Sequence, residues 1–367
     1  MLYKSLVRPL LFLKDPEEAH EQTLALLSRL GPFSGALERF FGIDDSRLRV
    51  RFSSLTFPNP VGLAGGFDKN GLAIKTWPGF GFGFVEIGAV TAYGQPGNPK
   101  PRLFRLAKDQ ALINRLGFNN EGAQAIRARL AALRGNGVPL RIPLGINIGR
   151  TKVVETKDAA GDFLFTFETL FPYGDFFTVN VSSPNTPQLR DLQEKSLLSD
   201  LLSAIQDKNR ELAAKKAIQE KPILVKVAPD MEFSQLDEIV DVVRSKRIAG
   251  IIATNATAFL RERLVSKIDQ PGGLSGKPLK DKATSFVRHI YKVAEGRLPI
   301  IGVGGIFTAE DAYEKMKAGA TAVQILTGFV YEGPAIVKRI NQGLLKLMER
   351  DGLKHISEAV GSAAKVH

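Results

Sequence analysis

The stretch Pro299-Ile300-Ile301-Gly302-Val303-Gly304-Gly305, followed by Ile306-Phe307-Thr308-Ala309-Glu310-Asp311, has the form of one βα unit. A short apolar run makes a buried strand, paired glycines make the turn, and Thr308 with acids behind it opens a helix. The same grammar recurs from Pro58 onward. Apolar runs bounded by Gly, Pro and Asn occur at Val61 to Ala64, Phe84 to Val90, Leu144 to Ile148, Phe177 to Val181, Ile223 to Val227, Gly250 to Thr254, Ile300 to Val303 and Ala322 to Leu326, with helical stretches between them. Buried strands alternating with helices specify a parallel sheet. Eight units predict an α/β fold closed as a (β/α)8 TIM barrel, with a doubly wound open sheet as the alternative because sequence does not show closure.

Residues 1–50 lie outside this pattern and read as a short N-terminal helical extension. Asp15-Pro16-Glu17-Glu18 supplies an N-cap, a proline in the first turn and acids at the helix start, and Gly31 closes the segment. Ala19, Thr23, Leu24, Leu26, Leu27 and Leu30 make a broad stripe, preceded by Leu6 to Leu13 and extended by Phe33, Leu37, Phe40 and Phe41. Periodicity favours a cap packed on the barrel. The other reading is a lipid-facing patch admitting an apolar substrate, where about six exposed Leu or Phe side chains at ~1.5 to 3 kcal/mol each would suffice for peripheral binding. The expected organisation is residues 1–50 as extension, 51–350 as barrel and 351–367 as a small polar tail that frays.

Composition excludes several chemistries. The 367 residues include no Cys and four His, which rules out a thiolate nucleophile or base and argues against a metal centre. The formal charge of +12 is clustered: residues 97–150 and 244–292 each carry +8, whereas residues 1–50 are neutral. That distribution, without any recognisable nucleic-acid-binding motif, points to small anionic ligands and not to nucleic acid. No run of 18 apolar residues occurs, so no membrane-spanning helix is expected.

In a barrel, chemistry sits on the loops after the strands. Those positions hold Gly65-Gly66-Phe67-Asp68-Lys69-Asn70, Asn147, Asn180-Val181-Ser182-Ser183-Pro184-Asn185-Thr186, Lys226, Thr254-Asn255, Gly304-Gly305 and Thr327-Gly328. Amides, which both donate and accept, suit the imide and carbonyl edge of a planar heterocycle, and lysines suit a carboxylate or a reduced flavin. Gly304-Gly305 before the helix at Thr308 is the candidate phosphate site. Gly79-Phe80-Gly81-Phe82-Gly83 precedes a strand and is expected to be only a tight connection. The proline-stiffened basic loop Gln95 to Arg105 and the run Asn114 to Asn120 add further candidate ligand contacts.

Taken together, Asp15 to His20, Ala64 to Asn70, Glu86 to Arg105, Asn114 to Asn120, Asn180 to Arg190, Gly272 to Leu279 and Pro299 to Gly305 resemble the dihydroorotate dehydrogenase family, in its quinone-dependent, membrane-associated class 2. The resemblance implies FMN held by Ala64, Gly65, Gly66, Phe67, Ala89, Asn147, Asn180, Lys226, Thr254, Gly276, Gly305, Leu326 and Thr327. It implies dihydroorotate held by Lys69, Asn114, Arg115, Leu116, Gly117, Phe118, Asn180, Asn185 and Asn255. Ser183 matches the class 2 base, where class 1 members place Cys, and this chain has none. The chain departs from the family at Ala89, where Thr or Ser is common, at Ala256, where Thr follows the Asn, and at Leu326, where Tyr often stands.

The implied reaction oxidises (S)-dihydroorotate to orotate in pyrimidine (UMP) biosynthesis, with FMN as hydride acceptor and a membrane quinone as electron acceptor. Ser183 would take the C5 proton, with Thr186 and a water as helpers, since a lone serine is a poor base. His20 and Arg105 are the quinone-site candidates near the mouth of a tunnel lined by the extension. The expected protein is a monomer placed peripherally on the cytoplasmic face of a bacterial inner membrane. From spacing alone, a flavin-free isomerase or aldolase, or an inactive ligand-binding barrel, stays open.

Overall fold

The computed structural model describes residues 2–135, 140–262, 264–268 and 270–364. Eight parallel strands close into a barrel: β1 (Val61–Leu63), β2 (Phe84–Val90), β3 (Leu144–Ile148), β4 (Phe176–Asn180), β5 (Ile223–Val227), β6 (Gly250–Ala253), β7 (Ile300–Val303) and β8 (Ala322–Ile325). Each pairs with its neighbour in sequence and β8 closes on β1, so the sheet has no edge. The open-sheet alternative is excluded. All eight predicted runs are the barrel strands, displaced by no more than one residue at either end.

Every strand residue is buried, as helices outside and side chains inside require. The N-terminal end of the barrel is plugged by the hairpin Val50–Phe52/Leu55–Phe57, whose Phe57 ring stacks on Phe84 at 4.2 Å. Gly62 makes room for that ring, since a Cβ there would lie 2.3 Å from Phe84. Polar residues therefore collect at the opposite end. Register places Asn180 beside Lys226 and Thr178 beside Asn147.

The extension forms α1 (Pro16–Arg29) and α2 (Ser34–Phe41), preceded by helical turns over residues 3–12. The predicted N-cap is present: the Asp15 carboxylate accepts the backbone N–H groups of Glu17 and Glu18 at 2.9 and 3.1 Å. Ala19, Leu24 and Leu27 are buried, and Leu24 and Leu27 join a core that includes Phe67, Trp77, Phe80, Phe82 and Phe329. Leu6, Leu10, Leu13, Leu26, Phe33 and Phe40 are exposed, four of them by more than 60%. The extension thus has both faces that the sequence suggested, one packed and one bare.

The 79–83 glycine segment is the tight connection expected, a single turn over Trp77–Phe80 ahead of β2. The tail is a correction. Residues 352–364 do not fray: Ile356 and Ala359 are fully buried, and Gly361 and Ala363 donate to the carbonyls of Met316 and Lys317 at 3.1 and 2.9 Å. Two apolar residues spaced on a short turn were enough to dock a segment whose composition looked solvated. Residues 365–367, including His367, lie outside the described residues.

Candidate active site

At the C-terminal end of the barrel a chain of buried side chains crosses five strands and the loops that follow them. The Glu86 carboxylate of β2, wholly buried, accepts the Asn147 amide at 2.6 Å and the Gln324 amide at 2.7 Å. Asn147 accepts the amide of Asn180 at 2.9 Å, and Asn180 accepts the Ser182 hydroxyl at 2.9 Å. Ser182 in turn accepts the Asn255 amide at 2.9 Å, and Asn255 accepts the Ala256 N–H at 2.7 Å. Each oxygen in this series from Glu86 to Asn255 accepts a hydrogen bond from the next group. Because a carboxylate only accepts and a backbone N–H only donates, the orientation of every amide is fixed from both ends.

Above this floor lies one cavity of about 1020 Å³. It is lined by Ala64 to Phe67, Lys69, Ala89, Asn114, Leu116 to Phe118, Asn180, Ser183, Asn185, Lys226, Thr254, Asn255, Gly276, Gly305, Leu326 and Thr327. Asn147, Arg115 and the expected helper Thr186 do not line it. Asn147 lies beneath, in the amide series. Arg115 turns away, donating to Gln270 and Pro101 at 2.8 and 2.7 Å and covering the Phe104 ring.

Lys226 is buried on β5 and makes no hydrogen bond with any described residue; burial holds its ammonium below the ordinary lysine range, with the Glu86 charge opposing. Lys69, on the loop after β1, is pushed down to about 8, first by burial and next, in the same direction, by Arg102, while Glu17, Asp68 and Glu21 oppose. That loop is fixed by buried Asp68, which accepts from Leu72 N, Ala73 N and Trp77 Nε1 at 2.7, 2.9 and 3.0 Å. The Ser183 hydroxyl accepts the Asn185 N–H at 3.3 Å, and the Thr186 hydroxyl is buried without a hydrogen-bond partner among the described residues.

The roof is an antiparallel sheet of Leu103–Leu106, Ala111–Asn114 and Gly273–Gly276. Gly276 and Gly305 have φ of +103° and +72°, and a Cβ on either would lie 2.4 Å from the Gln110 carbonyl oxygen or from Lys280 Cα, so both chain segments come close only as glycine. A free ammonium, a glycine-lined wall and oriented amides fit a flat, anionic, carbonyl-bearing ring system with a phosphate, as FMN is.

Gly304 and Gly305, the expected phosphate turn, line the cavity, but the helix behind them does not present an open N-terminus to it. The helix after Gly304-Gly305, Ala309–Lys317, has its N-terminus closed by its own side chains: Asp311 accepts the N–H groups of Phe307 and Thr308 at 2.9 and 3.1 Å, and Thr308 accepts that of Asp311 at 3.2 Å. The free helix start facing the cavity is instead that of Thr327–Glu332, where Thr327 and Gly328 line the wall.

The same cavity continues beneath the extension, where Leu11, Phe12, His20, Leu24 and Arg105 line it. His20 packs edge-on against Phe67 at 5.0 Å and is pushed down to about 3 by burial and the Lys69 charge, so its imidazole is neutral. Arg105 donates to the carbonyls of Phe12 and Lys14 at 2.7 and 2.6 Å and lies over the Phe12 ring. Sequence reasoning passed over Glu86, Ser182 and Gln324. The signal was available in Glu86 and Gln324, polar residues inside apolar strand runs.

A family model described as dihydroorotate dehydrogenase matches residues 47–348. A Gloeobacter violaceus protein named dihydroorotate dehydrogenase (quinone) is 48% identical over 364 residues, spanning 99% of each chain. A protein of the same name from Nostoc sp. is 46% identical over 381 residues and 98% of each chain. The crystal structure of the Eimeria tenella enzyme in complex with ferulenol superposes with a TM-score of 0.87 at 36% identity, covering 95% of each chain. The chain belongs to the dihydroorotate dehydrogenase family.

Proposed function

We propose that this protein is a quinone-dependent dihydroorotate dehydrogenase of class 2, oxidising (S)-dihydroorotate to orotate in pyrimidine biosynthesis. The observation that carries the reading is the single cavity joining Lys226, Lys69 and Ser183 to the apolar underside of the extension. Two substrates that differ as much as a carboxylated pyrimidine and a quinone can meet one cofactor from its two ends.

FMN, when bound, supplies the two-electron acceptor between them. Lys226, the Ala64–Phe67 turn, Thr254, Gly276, Gly305 and Thr327 would hold it, with Asn147 acting from below through Asn180. Lys226 balances negative charge on the ring. Lys69 binds the substrate carboxylate, while Asn114, Asn180, Asn185 and Asn255 grip its imide edge. The backbone of Asn114 to Phe118 closes over it, and Arg115 contributes main chain only. Ser183 takes the C5 proton, and the unpartnered Thr186 hydroxyl offers the next acceptor in the relay.

No described helix is long and apolar enough to cross a membrane. The exposed Leu and Phe side chains of residues 2–40 support peripheral attachment to a lipid surface; the proposal is completed by a monomer on the cytoplasmic face of the inner membrane that takes quinone past His20 and Arg105. Residues 1–50 then act as the quinone-access unit and the barrel as the FMN and substrate unit. In steady state, orotate formation should require a short-chain quinone and be unsupported by NAD. Turnover driven by NAD would reject the class assignment.

A further inference from the structure

Glu17, on the first turn of α1, looks from sequence like an acid serving the helix N-terminus, but its carboxylate is buried and engages Arg102 across 85 residues of sequence. Arg102 Nε and Nη2 donate to it at distances from 2.6 to 3.1 Å. The remaining nitrogen, Nη1, donates to the carbonyls of Pro96 and Asn98, each at 2.6 Å. Asn98 carries the connection on: its N–H goes to Leu116 O at 3.0 Å, and its amide goes to Arg115 O at 2.9 Å and Asn185 O at 3.3 Å. Arg102 O accepts the Arg115 N–H at 2.8 Å.

The extension is therefore wired to the backbone of the Asn114–Phe118 segment and to the turn after Ser183. We infer that Glu17 is a positioning residue for the substrate: through Arg102 and Asn98 it fixes both substrate-binding loops, so that docking of the extension and binding of dihydroorotate are one coupled equilibrium. This rests on the reading of those loops as substrate contacts. Without Glu17 the Arg102 guanidinium stays buried without its counter-ion, and the cheapest relief is to let the Pro96–Arg102 loop open. Linkage makes the effect reciprocal, so a ligand on the substrate loops tightens the extension.

The test compares wild type, Glu17→Gln and Glu17→Asp in anaerobic flavin reduction by dihydroorotate. Glu17→Gln should raise the half-saturating dihydroorotate concentration about tenfold, within the range of coupled sites, with a smaller change in the limiting rate and FMN retained, and Glu17→Asp should restore part of it. Unchanged half-saturation with impaired quinone turnover would overturn the inference, whereas failure of the wild type to be reduced would instead overturn the proposed function. If Glu17→Gln does not fold, hydrogen exchange on the wild-type holoenzyme decides. Orotate should slow exchange in Pro16–Arg29, and no change there would overturn the coupling.

Discussion

The Glu86 carboxylate accepts the Asn147 amide at 2.6 Å, at the centre of the barrel and out of reach of solvent. Its charge opposes the effect of burial at Lys226, so the two set the electrostatics at the floor of the cavity that would hold the flavin. Glu86→Gln keeps the volume, and Ser182 N–H still orients Asn180. The negative charge goes, and one of the two acceptor oxygens becomes an amide donor, which Gln324 can meet by turning its own amide so that Oε1 accepts. The flavin midpoint potential should rise by about 30 mV, the two-electron equivalent of about 1.4 kcal/mol. A reductive titration with a reference dye measures it; an unchanged potential would place the Glu86 charge outside the flavin's field.

Lys69 sets a pH limit on substrate capture. Its ammonium, held at about 8, is charged below that pH and neutral above it, so attraction for the substrate carboxylate is present at low pH and lost as pH rises through about 8. kcat/KM for dihydroorotate should fall above that point. Lys69→Arg keeps the charge and should remove the descent, even at lower absolute activity. A profile for Lys69→Arg that still falls at the same pH would assign the titration elsewhere.

The extension offers a separable test of membrane attachment. Leu10, Leu13, Phe33 and Phe40 are each at least 60% exposed, and each is worth about 1.5 to 3 kcal/mol when moved out of water. Replacing all four with Ser should abolish co-sedimentation with phospholipid vesicles while dihydroorotate still reduces the flavin at the wild-type rate. Deleting residues 1–45 is the poorer experiment, because it also strands Arg102. On deletion the Glu17 wiring predicts a raised half-saturating dihydroorotate concentration in addition to lost quinone turnover.

The barrel was legible because eight apolar runs between breakers leave few topologies that bury them all, and the strand-end residues of a barrel must converge. Ser183, Lys69, Lys226 and Asn255 stand among those strand-end positions, and the family resemblance is what singled them out. What composition hid was pairing. Glu17 and Arg102 are far apart in sequence, and each has a bland local reading as a helix-start acid or a loop base. Asp311 looked like a helix acid behind a phosphate turn, and only the fold shows one of its oxygens closing the helix start while the other pairs with Lys280. Arg115 sits in a ligand-binding run, yet the strand pairing of Asn114 with Gly273 sends its side chain outward.

Lys315 predicts a stability effect remote from the site. It is fully buried, donates to the Thr284 hydroxyl at 2.9 Å without a carboxylate contact among the described residues, and is pushed from 10.5 down to about 7 by burial. Between those values the unfolded chain binds the proton that the folded chain does not, so stability rises with pH across that window. Lys315→Met should flatten this dependence and stabilise the fold at pH 7 by about 1 to 3 kcal/mol. Urea denaturation at pH 7 and pH 9 checks both. A destabilised Met variant would mean that the amine's hydrogen bond outweighs its burial.

The most direct test of the central claim is anaerobic stopped-flow mixing of the purified holoenzyme with dihydroorotate. The wild type should bleach with one orotate formed per FMN, and Ser183→Ala should retain its flavin but bleach about 10² to 10⁴ times more slowly, the usual share of a general base. A protein without FMN, or a wild type that dihydroorotate leaves oxidised, would contradict the assignment, and an equal rate in Ser183→Ala would remove Ser183 from the chemistry.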